Sequence, residues 1–467
     1  MKFYNREEEL KEIRYFYNTR PSMLVLTGRR RVGKTELIKR IKKQTYFFVD
    51  PKKSEKMMLD EFFFDLKRDY KINDLIKVET WEDLLKLIFD LAKKEKVTIA
   101  FDEFQRFLRI SPSVIFQMQK YWDLNKDSSK VMLIFSGSSI GMMKKIFSEE
   151  NAPLFKRAQN ILTLKPFYFE QVSEILKDLG VRKIEEKIKI YFMFGGIINY
   201  YSLMDFYKVK SFEGLFDRLI LKKYAPLKDE IADIFIEEFG KEHKTYYSIL
   251  KALSLGKNTK KEIEDLVDIK STSLSPYLYD LNEILGIVTY KIPFDENKNS
   301  KKGRYFIADN FFKFWFKFIF DNMNHYEIEE FSYIKDMINK EFNTFAGQVF
   351  EDLCTELIIR NKVKLPFVKD KVAKWWGFYR DKDGKRKEVE IDIVVANEKE
   401  NKILFVECKW KNNVNVEKVI SELKNKAQFV KWHGEKREEF YAVFAKSFKR
   451  KIIAKNIILF DLNDFNR

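Results

Sequence analysis

The sequence predicts a multidomain α/β protein, and three observations carry that prediction. An apolar strand, MLVLT, runs straight into a loop bracketed by glycines, GRRRVGKT, and then into the amphipathic segment ELIKRIKK. Near the middle, three helical segments are followed by two short strands. Towards the end, the apolar strands KEVEIDIVV and ILFVECKW carry charged residues at alternate positions. A chain of 467 residues exceeds what one hydrophobic core supports, so several domains are expected. Phe occurs 45 times while Gly and Pro are scarce, which favours helix-rich domains with short loops.

The first domain is expected over 1–168. Strand, glycine loop and helix in that order form the context of a phosphate-binding loop. Gly28 and Gly33 let the backbone from Gly28 through Arg29, Arg30, Arg31 and Val32 turn its N–H groups towards phosphate oxygens, and the following helix adds its positive end. Lys34 is placed to reach the outer phosphates, and the Thr35 hydroxyl to ligate Mg²⁺. Further on, VTIAFDEF reads as a buried strand ending in two acids. Asp102 would hold Mg²⁺ through water, and Glu103 would orient or deprotonate the attacking water. Between them, TYFFVD (45–50) reads as a strand and 81–94 as a helix, the alternation of a βαβ sheet. The apolar run VMLIFSGSS (131–139) supplies another strand, and ILTLKPF one more.

With those residues in view, FYNREEEL, GRRRVGKTEL, IAFDEF, FSGSSIGMM and PLFKRA resemble the archaeal ATPase family within the wider AAA+/STAND group of P-loop NTPases. The resemblance implies ATP rather than GTP, and no guanine-reading NKxD motif occurs. It implies that Ser136 or Ser138 touches the γ-phosphate or the water. Arg157 would act as a finger on a neighbour's nucleotide in a homo-oligomer; an exposed arginine at a domain edge is the alternative. The family's GG-x-P-x-Y segment corresponds to FGGIINYY, where Gly195 and Gly196 are kept and Ile198 stands in place of the proline.

Residues 169–238 are helical by periodicity and fit a lid over the sheet. Over 239–310, three helices and a hairpin with a polar tip make a winged helix, whose recognition helix is expected at 271–285. That helix carries Ser and Tyr rather than Lys or Arg, so DNA reading and a protein-binding or spacer role both stand. The wing tip, with Lys298, Lys301, Lys302 and Arg304, is the better candidate for phosphate contact. A helical linker is expected at 311–339.

The last domain is expected over 340–467. At strand spacing, Glu388, Glu390 and Asp392 face one way while Val389, Ile391 and Ile393 face the other. Glu407 and Lys409, two residues apart on the next strand, also share a face. An acid on one buried strand facing Glu-x-Lys on the next is the PD-(D/E)xK arrangement. Asp392 and Glu407 would hold Mg²⁺, Lys409 would position the water and offset transition-state charge, and Glu351 would steer a second ion or the water. A structural Glu–Lys ion pair is the alternative. KWWGFYR, EIDIVV and LFVECKW are similar to the DUF234-type domain fused to these archaeal ATPases, itself similar to restriction-type nucleases. That resemblance implies a restriction-endonuclease-like α/β fold.

A net charge of +17 makes DNA or another nucleic acid the expected polyanionic partner, beside ATP. Cys354 and Cys408 form no CxxC pair and the three histidines are scattered, which disfavours a structural zinc site and suits a reducing, cytoplasmic setting. The N-terminus has no apolar signal core. FFKFWFKFIF is too short, and too interrupted by Lys313 and Lys317, to span a bilayer. The function expected is an ATPase whose nucleotide state controls a fused domain that binds or cuts nucleic acid. Its rival is a STAND-like switch whose C-terminal domain binds a protein partner without catalysis.

Overall fold

A computed structural model describes residues 1–467 apart from 20, 42, 240–242, 298 and 467. Lys298 of the wing tip therefore lies outside the described residues. The chain folds into two compact units.

The first unit comprises Met1–Phe167, completed by two short later stretches, Ile197–Asn199 and Tyr279–Gly286. Its sheet contains β1 (Ser22–Thr27), β2 (Thr45–Phe48), β3 (Val97–Asp102), β4 (Val131–Gly137) and β5 (Asn160–Thr163). The strands run parallel in the order β2-β3-β4-β1-β5. β1, β3 and β4 are buried along their whole length, as expected of apolar strands covered on both faces. Helix Trp81–Lys94 begins with a reciprocal capping box between Thr80 and Asp83, and its apolar face carries Leu84, Leu85, Ile88 and Phe89 into the core. Phe47 stacks on Phe62 at 4.3 Å and Phe101 on Phe135 at 5.5 Å between ring centroids. Each such buried side chain contributes about 1.5–3 kcal/mol.

The second unit comprises Tyr168–Gly196, Tyr200–Leu278 and Ile287–Arg467. Lid helices Phe169–Asp178 and Ile184–Phe194 open it. The expected winged helix follows: helices Lys244–Ser254, Lys260–Val267 and Ser271–Tyr279, then β6 (Val288–Lys291) paired antiparallel with β7 (Arg304–Ile307). The recognition helix stops at Tyr279, after Pro276, and passes into a single π-turn at Asp280–Ile284. That turn belongs to the first unit, so the last part of the expected 271–285 helix is packed rather than presented.

The stretch read as a linker is core. Helix Asn310–Phe318 buries Phe311, Phe312, Phe314, Trp315, Phe316 and Phe318, so it is covered nearly all round. The boundary expected at 339/340 falls inside one 29-residue helix, Phe331–Ile359. That helix packs on a second sheet made of β8 (Lys371–Arg380), β9 (Arg386–Asn397), β10 (Lys402–Lys409), β11 (Glu438–Ala445) and β12 (Ile457–Phe460). The order is β12-β11-β10-β9-β8, with β8, β9 and β10 antiparallel and β10, β11 and β12 parallel. Among the described residues, no helix is long and apolar enough to cross a membrane.

Two acids of the long helix join the modules of this unit. Asp352 accepts from Lys291 of the wing (2.9 Å) and from Lys313 (2.6 Å). Glu356 accepts from the Phe169 amide and the Tyr191 hydroxyl, both at 2.6 Å. Burial pushes the Glu356 carboxyl above its ordinary range, although both hydrogen bonds oppose the shift. A carboxyl raised in the folded state stabilises below its unfolded pKa and loses that contribution as pH rises through the folded value. Glu356→Gln removes this dependence. The melting temperature of the wild type relative to the variant should therefore fall between pH 5 and pH 8 in scanning calorimetry, and a constant difference would remove Glu356 from the account.

Candidate functional sites

The first site sits at the carboxyl ends of the parallel strands. The order places β4 between β1 and β3, so the glycine loop after β1, the acids after β3 and the serines of β4 meet at one edge. Gly28 has φ +146°, and a Cβ there would lie 2.4 Å from the Leu164 carbonyl oxygen. Gly33 has φ +97° and precedes the helix that starts at Lys34. Only glycine fits the first position without displacing backbone. The Lys34 ammonium, almost wholly buried, donates to the carbonyls of Gly28 (2.8 Å) and Arg29 (3.0 Å). Arg6 supports the loop from behind, donating to the carbonyls of Val32 (3.3 Å) and Lys165 (2.8 Å). That gives the opening NREEE stretch a physical role.

Thr35 Oγ1 donates to Asp102 Oδ2 at 2.9 Å, and the same oxygen accepts from the Tyr46 hydroxyl at 2.5 Å. Burial, with Asp102 beside it, raises the Tyr46 hydroxyl well above its ordinary pKa, so Tyr46 stays a donor. A hydroxyl and a carboxylate side by side are the hard oxygen donors that Mg²⁺ prefers, so Thr35 and Asp102 fit a magnesium site. Glu103 adopts a left-handed backbone (φ 57°), strained for a non-glycine residue. Its Oε2 accepts from Ser138 Oγ (2.8 Å) and Gln105 Nε2 (2.6 Å). Ser138 is thus beside Glu103, while Ser136 Oγ is buried without a hydrogen-bond partner. Arg157 is committed elsewhere: it forms a bidentate pair with Asp123 (2.7 and 3.0 Å) and donates to the carbonyls of Pro153 and Phe155. Sequence reasoning missed Tyr46 and Gln105, which reach the acids through strand pairing and a local turn that spacing does not reveal.

The second site is a cleft of about 890 Å³ in the second unit, lined by Glu351, Glu390, Asp392, Glu407, Lys409 and Lys426 among others. Every acid and the lysine expected from the sequence are brought together there. The β9–β10 ladder pairs Ile393 with Val406, which sets Asp392 opposite Glu407, and the Cys408 amide donates to Asp392 Oδ2 at 2.8 Å. Lys409 Nζ pairs with Glu407 Oε1 at 2.7 Å. Lys426 bridges both Glu407 oxygens at 3.0 Å, and Lys374 pairs with Glu351 (2.8 Å) and Glu390 (3.4 Å). Burial, with Glu351 and Glu407 close by, raises Asp392 well above the carboxylate range. Glu351 is raised too, by burial first, against the pull of Lys374.

Among the described residues, no group of three or more His, Cys, Asp or Glu side chains is gathered as a ready metal cage. Lysines hold Glu351 and Glu407, while Asp392 keeps one backbone donor and two acidic neighbours. Buried negative charge of that kind is relieved by a divalent cation, so the oxygen donors of Asp392 and Glu407 fit Mg²⁺ chemically. Lys374 and Lys426 lie outside the expected set because they come from a neighbouring strand and a later helix.

Residues 3–203 match a family model described as an ATPase domain predominantly from Archaea. Residues 315–427 match DUF234, described as archaeal and bacterial proteins of unknown function. An uncharacterized protein of Methanocaldococcus jannaschii is 32% identical over 474 residues, covering 99% of this chain and all of that protein. A second uncharacterized protein of the same organism is 44% identical over 57 residues, 12% of this chain and 55% of that protein. Among solved structures, a Walker-type ATPase of Pyrococcus abyssi aligns with a TM-score of 0.52 at 19% identity, covering 68% of this chain and 96% of that one. That likeness is one of fold.

Proposed function

The chain belongs to the predominantly archaeal ATPase family with a C-terminal DUF234 domain, and on that premise we propose that it hydrolyses ATP at the glycine loop and cleaves phosphodiesters at the acidic cleft, the first controlling the second. Lys34 turns from the loop carbonyls to the outer phosphates, and the loop amides hold the remaining oxygens. Thr35 and Asp102 would hold Mg²⁺, which would supply charge neutralisation at the phosphates. Glu103 takes the proton of the attacking water, with Ser138 and Gln105 fixing its carboxylate. Glu103→Gln should keep ATP affinity and lower turnover by about 10²–10⁴. Loss of affinity and turnover together, in paired binding and hydrolysis assays, would mean that the roles of Asp102 and Glu103 are wrongly divided.

The nuclease reading is carried by one observation: buried Asp392 lies opposite Glu407 and shares a cleft with Glu351 and Lys409. Control by nucleotide is supported by the two inserts of the first unit. Ile198 Cγ2 lies 3.6 Å from where a Cβ on Gly33 would be, and Arg29 Cδ 3.7 Å from the equivalent point on Gly286. The phosphate loop therefore touches stretches covalently continuous with the lid and the winged helix. A second reading, a switch whose C-terminal domain binds without cutting, is favoured by the double lysine bridge on Glu407. Incubating the purified chain with Mg²⁺, with and without ATP, and with duplex and single-stranded DNA and RNA separates the two. ATP-sensitive cleavage supports the first, and intact nucleic acid in every reaction supports the second.

A further inference from the structure

The ladder between β8 and β9 runs from Lys371/Ala396 to Arg380/Arg386, whereas β10 pairs with β9 only from Ile393 to Asn397. The part of the hairpin beyond Ile393 is therefore a two-stranded ribbon leaving the sheet at the end where Asp392 sits. An isolated pair of strands is marginal in water, and this one is held at its base. On one face Arg304 of the wing pairs with Glu388 and lies over the Trp376 ring, while Trp376 Nε1 donates to the Lys302 carbonyl at 3.1 Å. On the other, Tyr379 stacks on Phe429 at 4.8 Å. Arg304 is thus largely covered, and Lys302 is paired with Glu296. Among the described residues of the expected wing tip, Arg304 and the Lys302 carbonyl brace the ribbon.

The cationic charge lies further out. The tip reads RDKDGKRK from Arg380 to Lys387, and all of it except half-buried Asp381 is exposed. Asp381 is used internally, accepting from the amides of Asp383 (3.0 Å) and Lys385 (2.9 Å) and pairing with Lys387 at 3.0 Å. Among the described residues, Arg380, Lys382, Lys385 and Arg386 form no ion pair, and Arg386 sits 3.7 Å above the exposed Phe378 ring. We infer that this braced ribbon is a DNA-gripping arm that enters the major groove of duplex DNA and sets the duplex against the acidic cleft.

The major groove of B-DNA admits a two-stranded ribbon, whereas that of A-form RNA is too deep and narrow for side chains to read. Arg386 and Asp392 lie on the same face of β9, six residues apart, which at about 3.3 Å per residue puts the tip roughly 20 Å from the cleft. That is about six base pairs at roughly 3.4 Å each. The inference rests on the phosphodiester reading for the cleft's role, but the grip can be measured without cleavage. Anisotropy titrations of the full chain with a labelled 30-mer duplex in EDTA, over a series of salt concentrations, compare wild type with Arg380→Ala/Lys382→Ala/Lys385→Ala/Arg386→Ala. A control removes four exposed lysines of the first unit, Lys52, Lys56, Lys93 and Lys94.

The arm variant should bind at least about tenfold more weakly, with a slope of log K against log salt shallower by roughly 0.9 for each phosphate that the arm no longer neutralises. The control should keep the wild-type slope, and both should keep the wild-type melting temperature. Equal weakening in arm and control variants, an unchanged slope in the arm variant, or tighter wild-type binding to single strands or duplex RNA than to duplex DNA would overturn the arm. Arm-dependent binding by a protein that cuts nothing in Mg²⁺ would retain the arm and discard the cleavage reading.

Discussion

Lys34→Ala should weaken ATP binding by about 10²–10⁴ in affinity, measured with a fluorescent ATP analogue at equilibrium. The magnitude follows from what the ammonium does. A hydrogen bond to a charged group is worth about 1.5–3 kcal/mol, and at the loop Lys34 would serve oxygens of two phosphates. The same ammonium donates to the carbonyls of Gly28 and Arg29. Alanine leaves those carbonyls at the mouth of the loop, where they repel phosphate oxygens, so the loss exceeds the missing attraction. Lys34→Arg tests geometry separately from charge. The buried site leaves the lysine only a few per cent exposed, and a forked guanidinium does not fit that space. Normal affinity in the alanine variant, with an unchanged melting temperature, would sink the phosphate-loop assignment.

The glycine loop was legible because its chemistry is contiguous: a strand, a turn needing glycine and a helix start occupy one short window. Asp102 and Glu103 were legible for the same reason, as a buried strand ending in two acids. Tyr46 and Gln105 were not, since a tyrosine inside a strand carries no local sign of the carboxylate beside it. Tyr46 meets Asp102 only because β2 lies next to β3 in the sheet. The second site shows the same division. Period-two spacing put Asp392, Glu407 and Lys409 on facing strand positions, and they share one cleft, while Lys426 reaches it from helix Val416–Ala427 and Lys374 of a neighbouring strand pairs with its acids Glu351 and Glu390. The linker assignment at 311–339 failed for a physical reason. Lys313 and Lys317 interrupt the aromatic run, yet Lys313 is largely covered in its pair with Asp352 and only Lys317, paired with Glu341, stays at the surface. A partnered lysine can lie against a core, as Lys313 does, and sequence alone does not show the partner.

The cleft makes the sharpest demand. Asp392→Asn should remove both divalent-ion uptake and phosphodiester cleavage, because the neutral amide no longer supplies the charge that Glu351 and Glu407 make costly to bury. Lys409→Ala should keep the metal and slow cleavage by about 10²–10³, the cost of one donor aimed at developing charge. The loss belongs to the chemical step, so substrate affinity should change far less than turnover. Lys426→Ala should act with the opposite sign on the metal. Its ammonium lies 3.0 Å from both Glu407 oxygens and competes with any cation for them, so its removal should tighten Mg²⁺ or Mn²⁺ uptake. Titration calorimetry reads the metal and a gel assay on labelled DNA and RNA reads the cutting, with melting curves to confirm that each variant folds. Tighter metal binding in Lys426→Ala, with none in Asp392→Asn, would establish that lysines and metal share the carboxylates. A wild-type chain that takes up no Asp392-dependent metal and cuts neither DNA nor RNA would end the nuclease reading. The lysine bridges on Glu407 would then be the resting charge balance of a domain that binds without cutting.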